Sequence, residues 1–303
     1  MMSFSIIGYP LASTLSPTFY NHLFKLLGIK AHYTVLRPSE KNLTDVARKL
    51  REGQLNGINI TLPYKSLFME YLDEIAPDAS PVGAVNCVTV NQTLLIGHNT
   101  DVTGILCALQ QHSLQIGGGM VLLLGAGGAA RAAMVALLKS NVNQIHVAGR
   151  TATAVTEFVN EFRKISKHTT IKERQLGPEL NTSAYNLLIN ATPVGMWPDT
   201  EDSPLQRDQL HREQVIFDLV YNPEETLLIR WALDTGCDTI SGIDMFIGQG
   251  LASLDHWFPN TLYTPAGTLN PAINLNALKK VLRSALVNPS LGLGAIPKAG
   301  DPV

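Results

Sequence analysis

Through the first hundred residues, short apolar runs alternate with amphipathic stretches, and each change of period marks an element. Residues 3–8 predict a strand. Ser16 before Pro17 predicts a helix start, with serine as N-cap and proline at the first helical position; the helix runs to Leu27 and stops at Gly28. Residues 31–36 predict a second strand, 39–52 a helix closed by Gly53, 55–60 a third strand and 65–75 a third helix. Strands and helices in this alternation build a mostly parallel sheet with right-handed crossovers. Residues 84–90 and 93–97, on either side of Asn91-Gln92, predict a hairpin added to that sheet.

A second α/β rhythm begins at Met120. Residues 120–124 are continuously apolar, as in a strand buried on both faces. Residues 129–140 predict an Ala-rich helix, 145–148 a strand and 152–165 a helix. Buried strands are expected at 187–191 and 215–220, and a helix at 227–235 ending at Gly236. Two more helices fit 245–257 and 274–286. The Gly- and Pro-rich stretch 288–303 carries neither period and is expected to be disordered. No internal repeat is visible.

Composition narrows the class of protein. The chain has 303 residues, 45% of them hydrophobic and 16% charged, which is globular composition with room for about two domains. Its 23 basic and 25 acidic residues leave a net charge of −2, against the basic excess of a nucleic-acid or membrane-surface binder. Cys87, Cys107 and Cys237 form no CxxC pair, so free thiols are expected and neither a metal nor a disulfide framework. The first residues lack the pattern of a signal peptide, and no run of ~18 apolar residues occurs, so a cytoplasmic location without membrane partners is expected.

Two constellations carry chemistry. Gly125, Ala126, Gly127, Gly128, Ala129 and Ala130 match G-x-G-x-x-(G/A) between an apolar strand and a helix. Glycines there allow a tight turn and close approach of backbone to a pyrophosphate, and the helix start supplies free N–H groups. The next strand ends Ala148-Gly149-Arg150-Thr151 with no carboxylate for a ribose 2′-OH; Arg150 can instead pair with a 2′-phosphate, which favours NADP over NAD. The second constellation lies at strand ends in the first half: Asn59 to Lys65, Val85-Asn86, and Gly97 to Asp101. Lys, Asn and Asp converging at the carboxyl ends of strands suit a polyhydroxylated small molecule. The expected fold class is therefore α/β, an N-terminal α/β substrate domain plus a Rossmann-type doubly wound parallel-sheet nucleotide domain.

Over roughly residues 4–287 the chain resembles the shikimate dehydrogenase family. The resemblance is carried by Gly8-Tyr9-Pro10 with Ser16-Pro17, Asn59-Ile60-Thr61-Leu62-Pro63-Tyr64-Lys65, Gly83-Ala84-Val85-Asn86 and Asn99-Thr100-Asp101. In the second half it is carried by the glycine turn, Asn190-Ala191-Thr192-Pro193, Asp218-Leu219-Val220-Tyr221-Asn222-Pro223 and Gly242-Ile243-Asp244-Met245 with Gln249. It implies reversible NADP-dependent oxidation of the C3 hydroxyl of shikimate, in the chorismate pathway of aromatic amino acid biosynthesis. It implies Lys65 and Asp101 as the catalytic pair. Thr14, Ser16, Asn59, Thr61, Asn86, Tyr221 and Gln249 match positions that grip substrate, and Thr192, Leu219, Gly242 and Met245 positions along the nicotinamide.

The chain departs from the family pattern in places. Ser13-Thr14-Leu15-Ser16 replaces the usual Ser-x-Ser after a His, and His98 stands where Asp is usual. Gly149 and Ala154 replace an Asn and a second basic residue near the 2′-phosphate, and Asp244 replaces a small or apolar residue. Quinate, a related cyclitol carboxylate, or use of NAD is therefore the alternative reading. A ligand sensor without chemistry is disfavoured by retention of both Lys65 and Asp101, and a methylenetetrahydrofolate-type dehydrogenase by the Asn-Thr-Asp and Gly-Ala-Val-Asn segments. The expected organisation is a discontinuous substrate domain (1–104, completed by 243–287), a nucleotide domain (105–242) and a ligand-holding cleft between them; no sequence feature marks an interface, so monomer and homodimer both stay open.

Overall fold

The computed structural model describes residues 1–9, 11, 14–112, 116–264 and 266–287. The stretch 288–303 expected to be disordered lies outside them. The chain divides into two compact units: Met1–Thr100 together with residues from Gly250 onward, and Asp101–Gln249.

The first unit holds a six-stranded sheet ordered β2-β1-β3-β5-β6-β4. Strands β1 (Met2–Ile7), β2 (Ala31–Leu36) and β3 (Gly57–Ile60) run parallel, linked through helices α1 (Ser16–Leu26) and α2 (Leu43–Arg51). The hairpin β5 (Cys87–Asn91) and β6 (Leu94–His98) continues it antiparallel. Ile7, Ile58, Ile60, Leu50, Phe68, Val85, Val88 and Leu95 share one core, so Ile58 and Ile60 put one face of the third strand into it and Asn59 falls on the other face. Serine at 16 does not cap α1: Leu15, already in helical geometry, takes the N-cap position, and Pro17 falls within the first turn as expected.

The helix expected at 65–75 is instead three short pieces. Residues Tyr64–Leu67 form α3, Phe68–Tyr71 a 3₁₀ turn, and Glu74–Ile75 a strand, β4, that adds to β6 at the sheet edge. Asp73 draws the chain out of the helix. Its carboxylate accepts the Leu95 N–H at 2.7 Å and an Arg51 guanidinium hydrogen bond at 2.6 Å, partners that local periodicity cannot show.

The second unit opens with α4 (Asp101–Gln111) and then builds an all-parallel sheet ordered β12-β11-β10-β7-β8-β9. The strands are β7 (Met120–Leu124), β8 (Gln144–Gly149), β9 (Thr170–Gln175), β10 (Leu187–Asn190), β11 (Val215–Asp218) and β12 (Asp238–Ile240). The intervening helices are α5 (Gly128–Lys139), α6 (Ala152–Ile165) and α7 (Leu227–Thr235). In chain order the strands read 3-2-1-4-5-6, the doubly wound dinucleotide-binding arrangement with its switch point between β7 and β10. The two outer strands were not expected from the sequence. β9 reads Thr-Ile-Lys-Glu-Arg-Gln with only Ile171 buried, and β12 is three residues long, so neither has an apolar signature. Helix α8 (Gly242–Trp257) spans the boundary between the units, and α9 (Leu275–Val287) lies in the first. Among the described residues no helix is long and apolar enough to cross a membrane.

Candidate active site

In the first unit, β3 ends where β5 begins because the two are antiparallel, and β6 returns to the same end. Asn59, Asn86 and Thr100 therefore meet. The Asn86 carboxamide oxygen accepts the Thr100 N–H at 2.7 Å, and its backbone carbonyl accepts hydrogen bonds from the Ile60 N–H at 2.9 Å and the Asn59 amide at 3.1 Å. Asn59 also donates to Ser253 Oγ at 3.0 Å and accepts from the Tyr33 hydroxyl at 2.7 Å. Both amide hydrogens of Asn59 are thus engaged, and its oxygen alone has capacity for a further bond. Asn99 donates to the Ala84 carbonyl at 2.8 Å. Asn59, Asn86, Asn99 and Thr100 are all buried, so this network holds the strand ends in one geometry.

Around it stand the other sequence-predicted residues of this unit. Thr61 follows β3, its N–H donating to the Ile7 carbonyl at 2.9 Å and its own carbonyl accepting the Tyr64 N–H at 3.0 Å. A Cβ at Gly8 would sit 2.5 Å from Thr61 Cγ2, so only glycine lets the β1 end pass this close. Half-buried Lys65 lies on α3, and its carbonyl accepts the Val85 N–H at 2.8 Å, fixing the turn against the Gly-Ala-Val-Asn segment. Thr14 and Ser16 are buried together, the Thr14 hydroxyl donating to Ser16 Oγ at 3.0 Å while accepting the Ser16 N–H at 3.2 Å.

In the second unit, Gly125 turns with φ of 111°, and Gly127 occupies the N-cap position of α5 without any side-chain cap. A Cβ at Gly125 would meet the Ala191 carbonyl at 3.0 Å, whereas one at Gly127 would meet nothing within 4 Å. Gly125 is needed for the fold; Gly127 leaves open space at a helix start that has no acidic residue in its first turn. With Ala126, Gly128 and Ala129 partly exposed, these backbone N–H groups fit a pyrophosphate. Arg150 and Thr151 are exposed after β8, and Thr151 takes the N-cap position of α6 without bonding it through its side chain.

At the switch point a buried carboxylate organises the next loops. Asp218 accepts hydrogen bonds from Asn190 at 2.9 Å, the Val220 N–H at 3.0 Å and the Thr226 hydroxyl at 2.6 Å. Burial pushes its carboxyl up to about 6, against these three hydrogen bonds. Asn190 in turn accepts the Thr192 N–H at 3.0 Å and hydroxyl at 2.6 Å, so Thr192 is held through Asp218. The Leu219 N–H donates to the Asn190 carbonyl at 3.0 Å. A Cβ at Gly242 would lie 2.4 Å from the Val220 carbonyl oxygen, so glycine is what allows α8 to start against this loop. Met245 is buried on α8, the Tyr221 ring packs 5.0 Å from Phe246, and Gln249 donates to the Phe246 carbonyl at 2.9 Å. Buried Asp101 is the first residue of α4, and Asp244 pairs with His112 at 3.2 Å.

Ser253 escaped the sequence reading. It bonds both Asn59 and the Thr100 hydroxyl, at 3.0 Å each, from a helix whose only visible signal there was one serine on an apolar face.

The strand order, the uncapped glycine turn and the polar network at the strand ends of the other unit define a two-unit α/β protein with a Rossmann-type half. Residues 6–88 match the family model described as the shikimate dehydrogenase substrate binding domain, and residues 107–193 that of shikimate / quinate 5-dehydrogenase. Over 272 residues the chain is 36% identical to the shikimate dehydrogenase (NADP(+)) of Carboxydothermus hydrogenoformans, covering 89% of this chain and 96% of that one. It superimposes with a TM-score of 0.80 at 30% identity on shikimate 5-dehydrogenase from Thermus thermophilus, solved in complex with NADP(H) and shikimate, covering 94% and 100% of the two chains. The ligand-free 5-ketofructose reductase of a Gluconobacter species matches with a TM-score of 0.80 at 27% identity, covering 95% and 98%. The chain belongs to the shikimate dehydrogenase family.

Proposed function

We propose that this chain is an NADP-dependent shikimate dehydrogenase, converting the C3 hydroxyl of shikimate reversibly to the ketone of 3-dehydroshikimate. The observation that carries the reading is near full-length identity to a shikimate dehydrogenase (NADP(+)), at 36%. In this reading residues 1–104 with 243–287 bind substrate and 105–242 bind the dinucleotide.

NADP, when bound, accepts the hydrogen and electron pair leaving C3. Lys65 takes the hydroxyl proton at Nζ and returns it in the reverse direction, and Asp101 orients that hydroxyl. Proton handling of this kind is worth ~10²–10⁴-fold in rate. Thr14 and Ser16 hold the carboxylate, and Asn86, Thr61, Tyr221 and Gln249 the ring hydroxyls. Asn59 contributes its one remaining acceptor and orients Asn86. A site that pairs each hydroxyl rejects analogues lacking one, because its own polar groups would be left unpaired. Backbone N–H groups of residues 125–129 hold the pyrophosphate, Arg150 and Thr151 the 2′-phosphate, and Thr192, Leu219, Gly242 and Met245 border the nicotinamide.

The second reading is turnover of quinate or a related cyclitol carboxylate, with NAD accepted. It rests on buried Thr14, whose methyl group crowds the carboxylate end of the ring, and on exposed Ala154, which brings no second cation to the 2′-phosphate. Steady-state rates with shikimate and quinate, each with NADP and NAD, separate the two. Shikimate with NADP is expected to have the highest kcat/KM; preference for quinate would replace the first reading by the second, and no turnover of any pair would overturn both.

A further inference from the structure

Asp78, His98 and His256 come from three separate segments of the first unit: the turn after β4, the end of β6 and the last turn of α8. None has a part in the chemistry above. Asp78 Oδ1 lies 3.7 Å from His98 Nδ1, and Asp78 Oδ2 lies 3.5 Å from His256 Nε2. The candidate donor atoms all fall within 4.8 Å of one another. Ligand atoms ~2.0–2.1 Å from a tetrahedral ion stand ~3.4 Å apart, and each imidazole stands near that spacing from a different oxygen of the Asp78 carboxylate.

The hydrogen bonding points the same way. Asp78 Oδ1 is shielded from solvent and has no hydrogen-bond partner, which is costly for a carboxylate oxygen. The other nitrogen of His98, Nε2, is 3.0 Å from the Thr89 hydroxyl. With the ring proton on that nitrogen, Nδ1 turns a lone pair toward Oδ1, and two acceptors face a common point. A metal-bound histidine holds its other ring N–H in a hydrogen bond, and the Thr89 hydroxyl is placed to accept one from His98 Nε2. The His98 and His256 rings stack with centroids 3.9 Å apart and planes 26° from parallel.

We propose that Asp78, His98 and His256 form a binding site for one divalent transition-metal ion of the imidazole-preferring class, with zinc as the type case and water completing the shell. Side-chain exposures of 13% for His98, 32% for Asp78 and 35% for His256 leave a path for the ion and room for the water. Because the two imidazoles lie face to face, His256, the most exposed of the three, turns out of the stack on binding to point Nε2 at the ion. The ion is structural. It clamps the end of β6 to α8 and to the 76–83 turn, where Ala76 already donates to the Gly97 carbonyl at 2.9 Å. Asn99 and Thr100 follow His98 directly, and Ser253 precedes His256 by one helical turn, so the clamp braces the network that holds Asn59 and Asn86.

The test uses the full-length chain, stripped with chelator and dialysed into a non-coordinating buffer. Zinc sulfate is titrated in a calorimeter, cobalt(II) binding is followed by its visible absorption, and Tm is measured with and without zinc. The expected result is one ion per chain, a tetrahedral cobalt spectrum and a Tm raised by several degrees, on the order of 4 °C, at saturating zinc. Asp78→Asn, His98→Gln and His256→Gln are each expected to weaken zinc at least ~10-fold and to abolish the Tm rise, while their circular dichroism without metal matches the parent. The three variants stand in for one another should one fail to fold. No saturable one-to-one binding by the parent chain overturns the proposal, and so does binding that all folded variants retain.

Discussion

Replacing Asp218 by asparagine tests the claim that a buried, hydrogen-bonded carboxylate organises the loops at the switch point. The carboxyl is fully buried, and burial moves it from 3.8 in the open chain to about 6 in the folded one. Below pH ~4 both states hold the proton, and the fold loses nothing. Between pH ~4 and ~6 the folded chain keeps a proton that the unfolded chain has released, so stability falls as pH rises. Above pH ~6 both are ionised and the loss is complete. The span from 3.8 to about 6, at ~1.4 kcal/mol per pKa unit, makes that loss about 3 kcal/mol. An asparagine at this position cannot titrate, and its amide can still serve Asn190, Val220 and Thr226 from a side chain of the same shape. Urea unfolding of the parent and of Asp218→Asn, followed by circular dichroism from pH 4 to 7.5, isolates this group, because carboxylates elsewhere act equally on both. The stability difference is expected to shift toward the variant by up to ~3 kcal/mol as pH rises, with most of the change between pH 4 and 6. A difference that stays constant over that range, or one that shifts toward the parent, would mean that folding does not raise the Asp218 pKa.

Three further substitutions address the site. Lys65→Ala is expected to lower kcat by ~10²–10⁴-fold with a much smaller change in shikimate dissociation constant, and near-normal turnover would remove Lys65 from the mechanism. Arg150→Ala should raise KM for NADP far more than KM for NAD; equal effects would mean that it does not read the 2′-phosphate. Gly127→Ala should leave Tm within about 1 °C of the parent, since its Cβ meets no protein atom, yet weaken NADP at least ~10-fold by filling the space that a pyrophosphate needs. Unaltered NADP affinity in that variant would show that the turn does not carry the phosphates.

Elements with strong local signals were legible in the sequence. The apolar run of β7, the glycine turn and the Ala-rich α5 state their roles within about twenty consecutive residues. Elements whose reason is remote were not. The chain leaves the helical path after Tyr71 because of Leu95 and Arg51, and β9 is an edge strand whose charges face water. The same division holds for the site. Asn59, Asn86 and Thr100 were visible as polar residues at strand ends, but Ser253, 194 residues from Asn59, becomes part of their network only when α8 folds back onto the first sheet. The Asp78, His98 and His256 group shows the effect at its largest, since no sequence spacing links the three residues, and His98 stood out only as a departure from the family pattern.

In the proposed reaction, hydrogen moves from C3 of shikimate to NADP. Shikimate carrying deuterium at C3 makes that transfer visible, with the purified chain, NADP and mass analysis of the reduced cofactor. One deuterium is expected per molecule of NADPH formed, with none appearing when shikimate is omitted. Reduced cofactor free of deuterium, or no reduction of NADP at all, would contradict it.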